Sequence, residues 1–398
     1  MGRCPDSVTR RSILEARHCI AGQAGWPSTT GRKIGVVLAS RRPRGRNWLI
    51  PVSTVAATLV LVGASTGAQQ DAGRASCDVQ TPQRIVAVGD VHGAYDRFVA
   101  ILRSAGLVDG RQRWSGGRAV LVQTGDILDR GPDSRRALDL LMRLEREASR
   151  AGGRVHALLG NHEVMRMLGD LRYVSTGEYA AFRSTESEDL RERYYRATLA
   201  EATARAKPSN QPFDDIAFRS GFLARTPLGW VEMQIAFGPK GEYGRWLRER
   251  DTMVKINGVV FLHGGISPIV AAMGCAAVNT TVRSELAGPL TSLNAQTLAT
   301  REDGPLWYRG LALEDERAFG PEMDAIVLAL DARAIVVGHT ATEDGRLRSR
   351  FGGRLVQIDA GMLGGTFFPH GRASAVEILD GQFTAIYEDK REALIRRQ

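Results

Sequence analysis

Five short segments of this sequence set residues of metal-binding type beside glycine: GDVHG at 89–93, GDILDRG at 125–131, GNHE at 160–163, HGG at 263–265 and GHT at 338–340. An Asp and a His two apart between glycines is what one ordinary strand-to-helix turn can show. Five such loops, holding four of the seven histidines in the chain, are not explained by turn chemistry. Asp90, His92, Asp126, Asn161, His263 and His339 together offer carboxylate, amide and imidazole donors and no thiolate. That mixture suits two adjacent divalent ions sharing a bridging carboxylate, with Mn, Fe or Zn all compatible, rather than a closed structural zinc site.

Each loop follows an apolar, β-branched run: RIVAV (84–88), AVLVQ (119–123), VHALL (155–159), VVFL (259–262) and AIVV (334–337). Runs of this length and composition read as buried strands. Residues 94–105 place Phe98, Ile101, Leu102 and Ala105 on one helical face, and residues 133–149 do the same with Leu138, Leu141 and Leu144. Strand, loop and helix in alternation predict an α/β domain whose sites collect at the carboxyl ends of strands. Near the C-terminus RLVQID (354–359), SAVEIL (374–379) and FTAIYE (383–388) read as strands of a second, late-formed sheet, the last two joined by a turn at Asp380-Gly381. Residues 164–257 interrupt the pattern and read as a mostly helical insertion, containing the charged stretch 186–206 and the breaker segment KPSNQPFDD at 207–215.

The formal charge of +9 is concentrated at one end of the chain. Residues 1–47 hold ten Lys or Arg against Asp6 and Glu15, which leaves about +1 for the remainder. A general nucleic-acid surface is therefore not expected. The basic stretch RRPRGRN (41–47), the uncharged run 48–65 and the small residues Thr66, Gly67 and Ala68 read as a signal peptide over 41–68. The run is also long enough to be retained as a membrane anchor. Both readings put the following domain, 80–390, outside the cytoplasm, in the periplasm if the cell has one. Residues 1–40 read as a leader or an over-extended start. Cleavage near Ala68 would leave Cys77 and Cys275, either as a disulfide or as two thiols.

The ordered set of loops resembles the calcineurin-like metallophosphoesterases, and GDILDRG resembles the form found in the phosphoprotein phosphatase superfamily. GPLWYRG (304–310) and IDAGM (358–362) are further similar to the bacterial Shewanella-like protein phosphatases. The resemblance implies a two-sheet β-sandwich flanked by helices. It implies that Asp90 and His92 hold one metal, that Asp126 bridges, and that Asn161, His263 and His339 hold the second. It further implies hydrolysis of phosphomonoesters by direct attack of a metal-bridging hydroxide. His162 would be the general acid, oriented by Asp129, and Arg130 would grip two phosphate oxygens through its planar fork. Arg309 is either a second phosphate clamp or a packing partner of Trp307. The expected substrate is a phosphorylated Ser, Thr or Tyr side chain of a protein, or a small phosphomonoester. Hydrolysis of dinucleoside polyphosphates is the alternative, and a metal-containing binding protein without turnover is the non-enzymatic one.

Overall fold

The computed structural model describes residues 77–206 and 213–395. The leader at 1–40, the signal or anchor segment at 41–68 and part of the breaker segment lie outside the described residues. No helix among the described residues is long and apolar enough to cross a membrane.

The strands in chain order are β1 (Asp78–Val79), β2 (Ile85–Val88), β3 (Val120–Gln123), β4 (Arg154–Ala157), β5 (Met253–Ile256), β6 (Val259–Leu262), β7 (Ala334–Val337), β8 (Arg348–Arg350), β9 (Leu355–Gln357), β10 (Ser374–Leu379), β11 (Gln382–Tyr387) and β12 (Arg391–Ile395). They form two six-stranded mixed sheets, ordered β12-β11-β10-β2-β3-β4 and β1-β5-β6-β7-β9-β8. Within them β2, β3 and β4 run parallel, as do β6, β7 and β9. Every one of the five motif loops therefore leaves the carboxyl end of a strand in one of these two parallel sets.

The sheets stack face to face. Ile85, Ala87, Val120 and Val122 of one sheet share an apolar layer with Val259, Phe261, Ala334 and Val336 of the other. The alternate residues, among them Val86, Val88, Leu121, Val260 and Ile335, face outward into a second layer with the helices. Both faces are dry, which is why these strands read as continuous apolar runs rather than as an alternation. The outer layer includes Phe98, Ile101 and Leu102 of the helix Tyr95–Ser104, and Leu138, Leu141 and Leu144 of the helix Ser134–Arg150.

Two expectations are corrected. The C-terminal strands do not build a sheet of their own. A two-residue turn with Asp380 at φ 50° and Gly381 at φ 81° does join β10 to β11, but β10 pairs antiparallel with β2, while β9 lies beside β7 in the other sheet. The edge of β2 away from β3 is buried and its N–H and C=O groups need partners, which the late hairpin supplies. The helical insertion is also narrower than 164–257. Residues 164–168 complete the helix Asn161–Leu168 that begins with the GNHE motif, and Met253–Ile256 is β5, paired antiparallel with β6. The intervening Asn257 (φ 50°) and Gly258 (φ 74°) form the tight hairpin turn that an Asn-Gly pair favours, a signal present in the sequence. Between these limits lie the helices Thr176–Ala181, Ser187–Ala206, Asp215–Arg225, Trp230–Phe237 and Glu242–Arg248.

Cys77 and Cys275 form a disulfide, with Cα atoms 6.0 Å apart. It ties the residue before β1 to the helix Cys275–Ala287 across 198 positions of sequence. Asn279 of that helix seals the junction, accepting from the Thr252 and Met253 amides at 2.8 and 3.0 Å and donating to the Met253 carbonyl at 2.8 Å. Because closing so long a loop restricts the unfolded chain, Cys275→Ser should lower stability by about 2–5 kcal/mol. Urea denaturation of the oxidised protein and the variant checks this; coincident midpoints would mean that the cross-link contributes nothing in solution.

Candidate active site

The loops after β2, β3, β4, β6 and β7 converge, and their backbones are bent to do so. His92, Asp126, Asp129, Arg130 and His339 all take positive φ, between 47° and 71°. Non-glycine residues pay roughly 1–2 kcal/mol each for this conformation, and such outliers cluster where surrounding structure overrides local preference. Close approach of the loops makes the glycines obligatory at two points. A Cβ on Gly125 would meet the amide nitrogen of Gly160 at 2.4 Å, and one on Gly160 would meet Asp126 Oδ1 at 2.2 Å. The GNHE helix then points its amino end at Asp126, whose Oδ1 accepts from the His162 amide at 3.0 Å. Glu163 locks the neighbouring loop: its carboxylate accepts from the amides of Gly160 (2.8 Å), Asp126 (2.8 Å), Ile127 (2.9 Å) and Leu128 (3.3 Å).

Three imidazoles, those of His92, His263 and His339, approach the Asp126 carboxylate region, and for His92 and His263 the other ring nitrogen explains the orientation. His92 Nδ1 lies 2.8 Å from the Leu128 carbonyl and His263 Nδ1 2.9 Å from that of Thr124, so each donates there and turns Nε2 inward. His92 Nε2 is 3.6 Å from Asp126 Oδ2 and 3.7 Å from Asp90 Oδ2. His263 Nε2 faces two oxygens, Asn161 Oδ1 at 2.9 Å and Asp126 Oδ1 at 3.3 Å. Its burial disfavours charge, but Asp126 and Asp90 outweigh that and raise its pKa to about 9. His339 is the complement: burial, then the neighbouring His263 and Arg309, push it down to about 2, and its buried Nε2 has no hydrogen-bond partner among the described residues. His92 is likewise pushed down to about 3, chiefly by burial. Donor atoms of His92, Asp126 and His162, and of Asp126, His263 and His339, fall into two groups each within 4.8 Å. Inward ring nitrogens, an orphaned imidazole nitrogen and a nitrogen facing two oxygens fit a site for two cations sharing Asp126.

Asp90 joins this cluster with Oδ1, which accepts from the His339 amide at 2.9 Å. It does so beside a carboxyl the loop reading did not single out. Asp359, in the IDAGM segment, is fully buried and hydrogen-bonds Asp90; burial and then Asp359 push the Asp90 carboxyl well above its usual range. Juxtaposed buried carboxyls of this kind are stable together only when a proton or cation lies between them.

The second feature is a buried relay. His162 Nδ1 lies 2.6 Å from Asp129 Oδ2. Burial lowers the His162 pKa, and the carboxylates of Asp126 and Asp129 reverse the shift, holding it above its ordinary value. The other oxygen of Asp129 accepts from Arg166 Nη2, which also donates to both carboxylate oxygens of Glu178 at 3.1 and 3.0 Å. His162 and Arg166 stand four apart on one helix, so one face of it grips both oxygens of Asp129. Asp129, Arg166 and Glu178 are 0%, 1% and 1% exposed. Neither Arg166 nor Glu178 was legible as a site residue, although the spacing in NHEVMR was visible.

Arg130 spans the mouth of the cluster, its Nη1 2.6 Å from His92 Nε2 and its Nη2 3.4 Å from His162 Nε2. A cation held by His92 Nε2 would compete with this Arg130 contact. Arg309 is exposed but anchored, donating from Nη1 to the His339 carbonyl and to Thr340 Oγ1, both at 3.0 Å. The structure therefore brings all ten expected residues, Asp90, His92, Asp126, Asp129, Arg130, Asn161, His162, His263, Arg309 and His339, to the converging loops or their border.

This fold and this set of loops define a metal-dependent phosphoester hydrolase. Residues 83–343 match the calcineurin-like phosphoesterase family, and the chain belongs to it. Among characterised sequences it is similar to Shewanella-like protein phosphatase 2 of Arabidopsis thaliana, 29% identical over 71% of this chain and 72% of that one. Shewanella-like protein phosphatase 1 of Plasmodium berghei is 27% identical over 70% and 67%. Among solved structures the cold-active protein-tyrosine phosphatase of a psychrophilic Shewanella species aligns with a TM-score of 0.60 and 28% identity, covering 80% of this chain and 82% of that chain.

Replacing Arg166 with Met would leave the buried Glu178 without its cation and Asp129 with His162 alone. Stability should fall by about 3–5 kcal/mol, and Arg166→Lys, which lacks the fork, should recover only part of it. Chemical denaturation reads the difference; a Met variant as stable as the parent would show that the pair is not held ionised.

Proposed function

We propose that the protein removes phosphate from phosphorylated protein side chains, with phosphotyrosine preferred. The observation that carries this reading is the His162–Asp129 pair set against a three-imidazole, Asp126-centred cluster and capped by the Arg130 fork. The tyrosine preference is supported by the solved neighbour, the cold-active protein-tyrosine phosphatase of the Shewanella species.

Asp90, His92, Asp126, Asn161, His263 and His339 would hold two divalent ions, which when bound supply Lewis acidity toward phosphate oxygens and acidify water at neutral pH. The chain's own residues do the rest. Arg130 turns outward and takes two phosphate oxygens in its planar fork, orienting the ester. His162 keeps one proton on Nδ1, shared with Asp129, and delivers another from Nε2 to the departing alcohol or phenol oxygen. Arg166 holds Asp129 in place so that the imidazole cannot rotate. Arg309, fixed through His339 and Thr340, contributes a second positive edge to the phosphate position. Burial excludes bulk water and strengthens each of these interactions.

We also assign the 41–68 segment to export, cleaved or retained, with the domain working in an oxidising compartment outside the cytoplasm. The Cys77–Cys275 disulfide supports that placement.

The test is turnover of the purified protein after chelation and re-addition of Mn, Fe or Zn, using phosphotyrosyl and phosphoseryl peptides of one sequence and diadenosine tetraphosphate. Metal-dependent phosphate release from the peptides is expected; cleavage of the dinucleotide alone would transfer the protein to the nucleotide hydrolases. His162→Asn should lower kcat by about 10²–10⁴ with two metals still bound. Loss of metal in that variant would instead make His162 a ligand, as its place near His92 and Asp126 allows.

A further inference from the structure

Two aromatic side chains from separate segments stand over the Arg130 guanidinium, and no step above uses them. Tyr173 lies in the link between the GNHE helix and the helix Thr176–Ala181, and is 41% exposed. Phe368 lies in the loop that follows IDAGM and is half-buried. The Arg130 Cζ is 5.6 Å from the Tyr173 ring centre and 5.4 Å from that of Phe368. The Tyr173 ring also sits 5.1 Å from the His162 imidazole, and the Phe368 ring stacks on that of His92, 6.3 Å away at an interplanar angle of 16°.

Both rings are held by backbone as well as by contact. The Tyr173 carbonyl accepts from the Arg130 amide at 2.8 Å, which fixes the link against the GDILDRG loop. Arg97, reaching from the helix Tyr95–Ser104, donates at 3.0 Å to the carbonyls of Met362 and Gly371 and so closes the loop that carries Phe368. A Cβ on Gly361 (φ 66°) would fall 2.6 Å from the Phe368 Cβ, so that turn is shaped around the ring.

We propose that Tyr173 and Phe368 are specificity-determining residues that select aryl over alkyl phosphomonoesters. The proposal rests on the phosphatase reading above. With Arg130 gripping the phosphate and His162 meeting the leaving oxygen, whatever that oxygen carries leaves the site past Tyr173 and Phe368. A phenol ring attached directly to the oxygen is flat and rigid enough to pack against two aromatic faces. A serine methylene attached at the same point ends before it reaches them and buries almost nothing. Offset aromatic packing therefore favours the aryl ester, while phosphate recognition itself is common to both substrates.

The experiment compares kcat/KM for phosphotyrosyl and phosphoseryl peptides of identical flanking sequence in the metal-loaded protein. The wild-type ratio should favour the aryl ester. Tyr173→Leu and Phe368→Leu should each shrink that ratio about 3- to 10-fold, and Tyr173→Phe should retain it. Equal losses on both substrates would overturn the proposal, since the rings would then only support Arg130, and so would an unchanged ratio in both Leu variants. A wild-type protein that hydrolyses both peptides without preference defeats this inference together with the phosphotyrosine preference, and leaves standing only the reading as a protein phosphatase. One that hydrolyses neither peptide while cleaving diadenosine tetraphosphate defeats the phosphatase reading itself.

Discussion

A carboxylate buried without a cation is among the least tolerable groups in a protein interior, and Asp126 is such a group unless its surroundings neutralise it. Burial alone would push its carboxyl up; the imidazoles of His263 and His162 reverse this and hold it well below the usual range. The rest of the site follows from that requirement. The GNHE helix directs an amide at Asp126, Glu163 fixes the loop on which it stands, and two glycines vanish to nothing at the place where the loops cross. Strain at five non-glycine positions persists because the sandwich beneath them is already committed by its apolar layers.

Neither sheet contains this site by itself. Asp90, Asp126 and Asn161 follow strands of one sheet, His263 and His339 strands of the other. Their donor groups meet because two parallel sets of strands end on the same side of the stacked sheets. The sandwich is thus a device for bringing imidazoles to carboxylates, and its inner layer carries no chemistry.

The segment between the GNHE helix and β5 is more than a cover. Its first helix supplies Glu178, the link before that helix supplies Tyr173, and the helix Trp230–Phe237 presents Met233 Sδ to Arg166 Nη1 at 3.4 Å and Phe237 to the same guanidinium at 5.0 Å. Buried charge therefore runs from His162 through Asp129 and Arg166 into the helical segment. Correct folding of that segment and correct placement of His162 are one condition.

The linear pattern determined the local things: which runs are strands, which loops hold donors, and that those donors include carboxylate, amide and imidazole without sulfur. Residue type and spacing suffice there, because a strand buried on both faces and a glycine-flanked Asp or His each leave a local mark. The Asn257-Gly258 pair before β6 leaves such a mark too. Tertiary structure alone decided which strands neighbour which, so β10 beside β2 and β9 beside β7 were not legible: pairing satisfies backbone groups that carry no sequence label. It alone decided that Cys77 meets Cys275, that Asp359 adjoins Asp90 and that Phe368 approaches Arg130, since each contact joins segments far apart in the chain. Arg166 shows the boundary most clearly. Its i+4 relation to His162 was written in the sequence, but its role depends on Asp129 and Glu178 arriving from elsewhere to share a space that water cannot enter.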